Sequence, residues 1–176
     1  ARAVMSDALL DEVTALVEWP VAVEGHFEPR FLELPREVLI STLQDHQRYF
    51  PLESAAGELL PTFITISNIE SRDPAQVRAG NERVVRPRLS DAEFFFRQDR
   101  KATLASRAPA LDSVTFQAKL GSVGDKTRRV AALSRTIAAE IGADVSLAHQ
   151  CALLAKCDLV TSMVGEFPEL QGIMGG

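Results

Sequence analysis

The stretch YFPLESAAGELLPTFITIS, residues 49–67, predicts a β-hairpin. Its two strands are expected at 49–53 and 59–67, and between them Gly57 can adopt the positive φ that a short hairpin loop often needs. A third strand is predicted upstream at 21–27, where apolar and polar residues alternate. These segments indicate that the first part of the chain is built on a small mixed sheet.

Helices accompany this sheet in the first part of the chain. Ser6 is suited to cap a first helix, and Pro35 is suited to the first turn of a second one. Further on, the run Ser90–Glu93 forms a capping box, which predicts a helix over 91–107. Residues 1–107 are therefore expected to form an α+β domain.

The second part of the chain is expected to be helical. Residues 108–122 form a looser stretch that we interpret as a linker to a helical domain over 123–176. There, apolar residues at helical spacing predict a helix over 125–141, which Gly142 closes. Asp144 is suited to cap a further helix, and because nearly its whole circumference is apolar, we expect it to be buried on several sides.

Charge is unevenly distributed along the chain, although the net charge is only −5. Residues 1–75 hold five basic and thirteen acidic side chains, whereas residues 76–135 hold thirteen basic and six acidic ones. A basic middle region is a candidate phosphate-contacting surface, because phosphate neutralisation supplies most non-specific affinity for nucleic acid. The alternative is a solvated helix face whose arginines pair with nearby acids.

Eight basic side chains of this region are the candidate RNA-binding residues. Arginine suits the role because its planar fork can contact two phosphate oxygens and its face can stack on an unpaired base. Arg97 and Lys101, at a spacing of four, are expected on one helical face. Arg86 and Arg88 flank Pro87 in a segment expected to be extended, so both could face one ligand. The full set is Arg83, Arg86, Arg88, Arg97, Arg100, Lys101, Arg128 and Arg129.

Other features narrow the class of protein. No apolar run approaches the roughly 20 residues needed to cross a bilayer, and the first residues lack the pattern of a secretion signal. Cys151 and Cys157 are expected on one helix with diverging side chains, which indicates reduced thiols in a cytoplasmic protein. The histidines lie far apart, so no metal site is predicted. Among them, His46 is interpreted as structural, with a base or an RNA contact as the alternative.

Five runs of the chain form longer motifs. They are LVEWP (16–20), DHQRYFP (45–51), LLPTFITISNIES (59–71), GNERVVRPRLSDAEFFFRQDR (80–100) and KCDLVTSMVGEFPELQGIMG (156–175). Together, and in this order, they resemble the β subunit of the bacterial α2β2 glycyl-tRNA synthetase. The resemblance covers essentially the whole chain, as an internal fragment of such a subunit.

The resemblance implies a part in glycine–tRNA ligation. In that family the α subunit carries the active site, where glycine reacts with ATP in the presence of Mg²⁺. The β subunit supplies tRNA binding and assembly. The chain is therefore expected to contact tRNA-Gly, the α subunit and the rest of the β subunit, with no catalytic residue, metal or cofactor of its own. It has no Gly-rich phosphate loop. The resemblance also implies that residues 123–176 begin an HD-like helical domain.

Three alternatives remain open from the sequence. One is a pure scaffold between subunits or domains without RNA contact, and another is an editing hydrolase in the α+β part. The third is a degenerate HD phosphohydrolase, because 153–159 resemble the His-Asp segment of those enzymes, although Cys157 stands where the metal-binding histidine is needed. Asp158 is then expected to be a buried carboxylate with a basic partner. The candidate partners are Lys126, Arg128 and Arg129.

Overall fold

A computed structural model describes residues 1–175 of the chain, which divide into two compact units. The first unit is Ala1–Phe94, and the second begins at Phe95. This division lies upstream of residues 108–122, where the sequence suggested a linker. Among the described residues, no helix has the length and apolar composition needed to span a bilayer.

The first unit contains both helices and strands. Its strands are β1 (Arg2–Ala3), β2 (Val21–His26), β3 (Phe50–Glu53) and β4 (Leu59–Ser67). Its helices are α1 (Asp7–Leu16), a 3₁₀ segment (Pro29–Glu33), α2 (Arg36–Gln44) and α3 (Pro74–Asp99). Helix α3 continues past Phe94 into the second unit. The first unit is thus of the α+β type that the sequence predicted.

The strands form one sheet in the order β1-β3-β4-β2, and every neighbouring pair is antiparallel. The expectation of a mixed sheet is therefore wrong. The pairing of β3 and β4 is antiparallel because a hairpin joins these two strands, and a hairpin requires antiparallel pairing. The hairpin itself is confirmed, and Gly57 in its loop has φ of 83°.

The core of the first unit lies around β4. Phe63 of β4 is fully buried, and the ring of Tyr49 stacks on it with centroids 4.8 Å apart and planes 8° apart. The Tyr49 hydroxyl donates a hydrogen bond to Oδ1 of Asn81 on α3, and burial raises the pKa of this phenol. Aromatic stacking and a satisfied hydroxyl together fix this ring in the core.

Helix α3 begins well before the predicted capping box. Ser90 lies in its interior, as does Pro87, so both the helix start at Asp91 and the extended segment around Pro87 are wrong. The physical reason is tertiary: Val85 and Leu89, one helical turn apart, are completely buried, and their burial outweighs the local cost of proline. The start of α3 is supported instead by Asp73, whose carboxylate accepts from the Gln76 amide at 3.2 Å.

The second unit is mainly helical and includes a small hairpin. Its strands are β5 (Thr115–Gln117) and β6 (Gly121–Ser122), which pair antiparallel. Its helices are α4 (Val123–Glu140), α5 (Val145–Leu154) and α6 (Ser162–Glu166), with 3₁₀ segments at Ala105–Ser113, Cys157–Val160 and Pro168–Leu170. The hairpin lies within residues 108–122, the stretch interpreted as a linker, whereas every element that the structure describes over residues 123–175 is helical, as the sequence predicted.

Residues 108–122 are folded rather than extended as a plain linker. Leu111 in the first 3₁₀ segment is 1% exposed and shares a core with Val123 and Cys157. The backbone amide of Val123 also donates to the carbonyl of Val114 at 2.7 Å. These contacts tie the region to the N-terminus of α4.

Helix α4 matches its prediction in extent but not in orientation. Ser122 and Asp125 form a reciprocal capping box at its start, and Gly142 follows its end with φ of 70°. However, the residues that face the core are small ones such as Thr127 and Ala131. The large apolar residues of the predicted stripe point to solvent, at 43–72% exposure: Val130, Leu133, Ile137 and Ile141.

Helix α5 is capped by Asp144, as predicted, through hydrogen bonds of 2.9 Å from the amides of Ser146 and Leu147. It packs on α4, but none of its residues is buried, so the expectation of burial on several sides is wrong. The helix also ends at Leu154. Cys151 and Cys157 therefore do not share one helix, and both are free thiols.

Candidate nucleic-acid interface

Two candidate arginines on α3 project freely from the first unit. Arg83 and Arg88 are exposed, and neither guanidinium has an ion pair or hydrogen bond within residues 1–175. They are five residues apart, which separates them by about 140° around the helix. Each is therefore available to an external anion, but they point in different directions.

Arg86 is not free, because its Nε lies 2.9 Å from Oε1 of Glu28. The idea that Arg86 and Arg88 face one ligand is wrong, since two helical residues of that spacing point about 200° apart. The second oxygen of Glu28 is buried and has no hydrogen-bond partner among residues 1–175. Arg86 therefore neutralises a half-buried carboxylate, which gives it a structural role.

The second group of candidates surrounds the C-terminus of α3 in the second unit. Arg97, Arg100 and Lys101 are all exposed, and the Arg100 guanidinium lies over the ring of Phe96 at 5.6 Å from its centroid. Helix α3 ends at Asp99, so Lys101 lies beyond it. The prediction that Lys101 and Arg97 share a helical face is therefore wrong. Arg97 lies in the last turn of α3, and Arg100 and Lys101 follow directly after its end, so three basic residues surround this helix terminus.

Arg128 is held by two carboxylates at the start of α4. Its guanidinium contacts Asp112 and Asp125, each at 2.8 Å. The backbone amide of Ser122 and the Arg128 guanidinium lower the pKa of Asp125 to about 2, and the two acids in turn raise the pKa of Arg128. By contrast, Arg129 is exposed and has no ion pair within residues 1–175.

A further ion pair in the second unit was not predicted. Asp99 accepts from Arg107 at 2.9 Å and from the backbone amides of Ser162 and Met163 at 3.0 and 2.8 Å. The carboxylate thus caps α6 from a distant part of the sequence. The only signal for this ion pair in the sequence was that Asp99 and Arg107 lie about two turns apart in the helix predicted over 91–107. From the sequence, pairing of Asp99 with the neighbouring candidate cations was only the alternative to RNA contact.

Asp158 is buried, as predicted, with 1% exposure. Its predicted basic partners are wrong: Oδ2 accepts from the Gly172 amide, and Oδ1 has no hydrogen bond within residues 1–175. Burial, followed by the neighbouring Asp158, raises the pKa of the Cys157 thiol, which disfavours the thiolate that a metal would need. Residues 1–175 contain no cluster of three or more His, Cys, Asp or Glu able to hold a metal ion.

The histidines make local contacts. Nδ1 of His26 lies 3.3 Å from the Thr62 hydroxyl, and Nδ1 of His149 lies 3.3 Å from the Ala131 carbonyl. His46 is exposed beyond the end of α2. Nε2 of His26 also lies 3.5 Å from Oε1 of the exposed Glu24. The printed contacts bring no two of the three histidines together within residues 1–175.

Comparison with known proteins gives one consistent result. All of residues 1–176 match the family described as glycyl-tRNA synthetase beta subunit. A glycine–tRNA ligase beta subunit of Ectopseudomonas mendocina is 62% identical over 173 residues, which are 98% of this chain and 25% of that protein. Those of Pseudomonas fluorescens and Acinetobacter baylyi are 60% and 58% identical, over 98% and 99% of this chain and 25% of each relative. The chain thus spans about a quarter of the length of these relatives.

Proposed function

This chain belongs to the glycyl-tRNA synthetase beta subunit family, and we propose that it supplies a tRNA-contacting surface within a glycine–tRNA ligase. The observation that carries the proposal is the pair of exposed arginines on α3, Arg83 and Arg88, which have no acid partner within residues 1–175. An arginine without an internal partner retains its fork of donors for phosphate oxygens.

The proposal separates the candidate residues into two groups. Arg86 and Arg128 hold internal carboxylates, so they serve the fold, whereas Arg83, Arg88 and Arg129 have no ion pair within residues 1–175. The candidates for RNA contact are then Arg83, Arg88, Arg97, Arg100, Lys101 and Arg129.

The proposal extends to the parent reaction. Glycine, ATP and Mg²⁺ are handled by the α subunit, and this chain contacts that subunit, tRNA-Gly and the rest of the β subunit in the cytoplasm. The two free cysteines are compatible with that reducing compartment. The packed pair α4 and α5 supports residues 123–176 as the beginning of an HD-like helical domain.

A titration with tRNA-Gly tests the proposal. We expect binding that weakens steeply between low and moderate salt, because each phosphate contact releases counterions. The double variant Arg83→Glu/Arg88→Glu should weaken binding and flatten the salt dependence by about one unit of log–log slope per lost phosphate contact.

A matched control carries the same change of charge elsewhere. Arg72→Glu/Lys156→Glu alters two exposed basic residues outside the candidate set and should retain most of the affinity. If tRNA does not bind even at low salt, or if both double variants lose affinity equally, the tRNA-contacting proposal is wrong and the scaffold reading replaces it.

A further inference from the structure

An apolar groove runs along α1 in the first unit. Leu9 and Val13 of α1 pack on Phe50 of β3, so the helix covers only one side of this sheet face. The other side is open, with Ile64 and Ile66 of β4 as its floor. The groove has a cavity volume of about 340 Å³. It is large enough to receive several side chains of another molecule.

The groove presents apolar atoms to solvent. Met5 and Leu10 at its wall are 56% and 44% exposed, and Ala22 of β2 is exposed at its far side. Contiguous exposed apolar surface on a folded protein typically marks a place where another molecule binds. Within residues 1–175 these side chains remain uncovered.

The solvent-facing rim of the groove is acidic. Asp7 and Asp11 lie one turn apart on the flank of α1 that borders it, and Glu18 follows just after the helix. None of these three carboxylates has a side-chain partner within residues 1–175. On the opposite flank of α1, in contrast, Glu12 pairs with Nε of Arg48 at 2.6 Å. The unbalanced charge therefore lies only on the groove side.

We propose that this groove is the docking site of an amphipathic protein helix whose apolar stripe is flanked by Lys or Arg. The apolar floor supplies the contact area, and the three carboxylates supply complementary charge and register. The same carboxylates repel phosphate, so a nucleic acid is excluded as the occupant. The proposal does not depend on the tRNA-contacting role, which concerns α3 and the basic residues after it.

A helix fits this site better than an added strand. β2 is the edge strand on the side of the sheet next to β4, and two of its outward-facing backbone groups are already bonded to α3. Arg78 Nε donates to the Glu24 carbonyl at 2.8 Å. The His26 amide in turn donates to Oε1 of Glu82 at 2.9 Å. Strand addition at β2 would have to break both bonds. A helix lying parallel to α1 completes the layer without touching this edge.

Three synthetic peptides test the proposal directly on this chain. Each has about 15 residues, which spans the 10 residues of α1, and carries the same leucine stripe at i, i+3, i+4 and i+7. Only the flanking residues differ: Lys, Gln or Glu. Fluorescence polarisation should show the Lys-flanked peptide binding about tenfold more tightly than the Gln-flanked one, with no detectable binding of the Glu-flanked one. Added salt should weaken the first complex.

Variants locate the binding site. Asp7→Lys/Asp11→Lys should reverse the order of the Lys-flanked and Glu-flanked peptides, whereas Glu37→Lys/Glu58→Lys, a matched change on exposed residues away from the groove, should preserve it. Ala22→Phe adds bulk at an exposed position on the far side of the groove and should weaken every peptide without loss of folding. Amide shifts in NMR spectra should follow the same residues.

The outcomes separate clearly. Binding that depends on flank charge, and is lost in Ala22→Phe, supports the helix-docking site. The proposal is overturned if no peptide binds, if all three bind equally, or if Ala22→Phe leaves the affinity unchanged. Because the tRNA titration uses variants of α3, failure of either proposal leaves the other one testable.

Discussion

Gly25 of β2 and Phe63 of β4 are paired across the sheet, and the Phe63 ring occupies the space that a side chain at position 25 would need. A Cβ built on Gly25 would stand 2.5 Å from Cζ of the Phe63 ring. The ring cannot withdraw, because it is fully buried and stacked on Tyr49. The fold of the first unit therefore depends on the absence of a side chain at this position.

Gly25→Ala is expected to destabilise the chain. Inserting a methyl group into this packed core should lower the free energy of unfolding by about 1–3 kcal/mol. Chemical denaturation followed by circular dichroism measures the change. Gly80→Ala is the matched control: it lies inside α3 with no atom near its Cβ, so it should raise stability by about 0.5–1 kcal/mol. An unchanged or higher stability of Gly25→Ala would contradict the packing account.

Glu53 should make the free energy of unfolding depend on pH in the acidic range. Its buried carboxylate contacts Arg36 at 2.7 Å and also Arg2, and these guanidinium groups lower its pKa below the ordinary value. The folded state thus binds its proton less readily, so this contribution is full above about pH 4.5 and is lost as pH falls through the lowered pKa. Glu53→Gln should lower stability at neutral pH and flatten the acid limb of the unfolding curve.

A control distinguishes this network from general acid denaturation. Glu58→Gln changes an exposed carboxylate in the hairpin loop and should leave both the neutral-pH stability and the acid limb almost unchanged. Equal effects of the two substitutions, measured by melting temperature across pH 2–7, would show that the Arg2–Glu53–Arg36 contacts do not stabilise the fold.

Asp125 should act over a lower pH range. Its pKa is about 2, against an ordinary value of 3.8, so its contribution is full above about pH 4 and disappears as pH falls towards 2. Asp125→Asn removes the charge but keeps an acceptor for the Ser122 amide, while Asp125→Ala removes both. Helix content measured over this range should therefore fall more in Asp125→Ala. Identical behaviour of the two variants would exclude the capping role.

Arg97 and Arg100 test which role the second cationic group serves. Charge reversal in Arg97→Glu/Arg100→Glu is expected to weaken tRNA-Gly binding, because two phosphate-contacting donors become repulsive. A thermal melt checks the fold, and Arg100→Glu alone provides a milder second variant. If tRNA binding persists while capture of the α subunit is lost, the group belongs to an assembly surface instead.

Much of the fold could be predicted from the sequence, because the signals that start and end its elements act over only a few residues. The caps at Ser6, Ser122 and Asp144 are made by side chains within three residues of their targets, and the hairpin turns at Gly57, which has φ of 83°. The start of α3 could not be obtained in this way. Burial of Val85 carries the helix through Pro87, and only the tertiary structure supplies that burial.

The site was harder to predict than the fold. The eight basic candidates share a charge, and sequence cannot separate an arginine that holds a distant acid from one that faces solvent. Arg86 finds Glu28, and Arg128 finds Asp112, through folding alone. Arg83 and Arg88 are distinguished by having no such partner within residues 1–175. No sequence motif marks the apolar groove along α1 with its acidic rim, because the rim and the floor come from separate elements.

The exposed end of the first helix gives this chain a built-in optical reporter. Trp19, its single tryptophan, is 65% exposed and directly precedes Pro20 at the lip of the groove, and its backbone amide is fixed by Asn68 at 2.9 Å. A helix seated in the groove should shield the indole and shift its emission to shorter wavelength, whereas tRNA on α3 should leave the emission unchanged. Steady-state fluorescence of the unlabelled chain can therefore follow occupancy of one surface without a signal from the other.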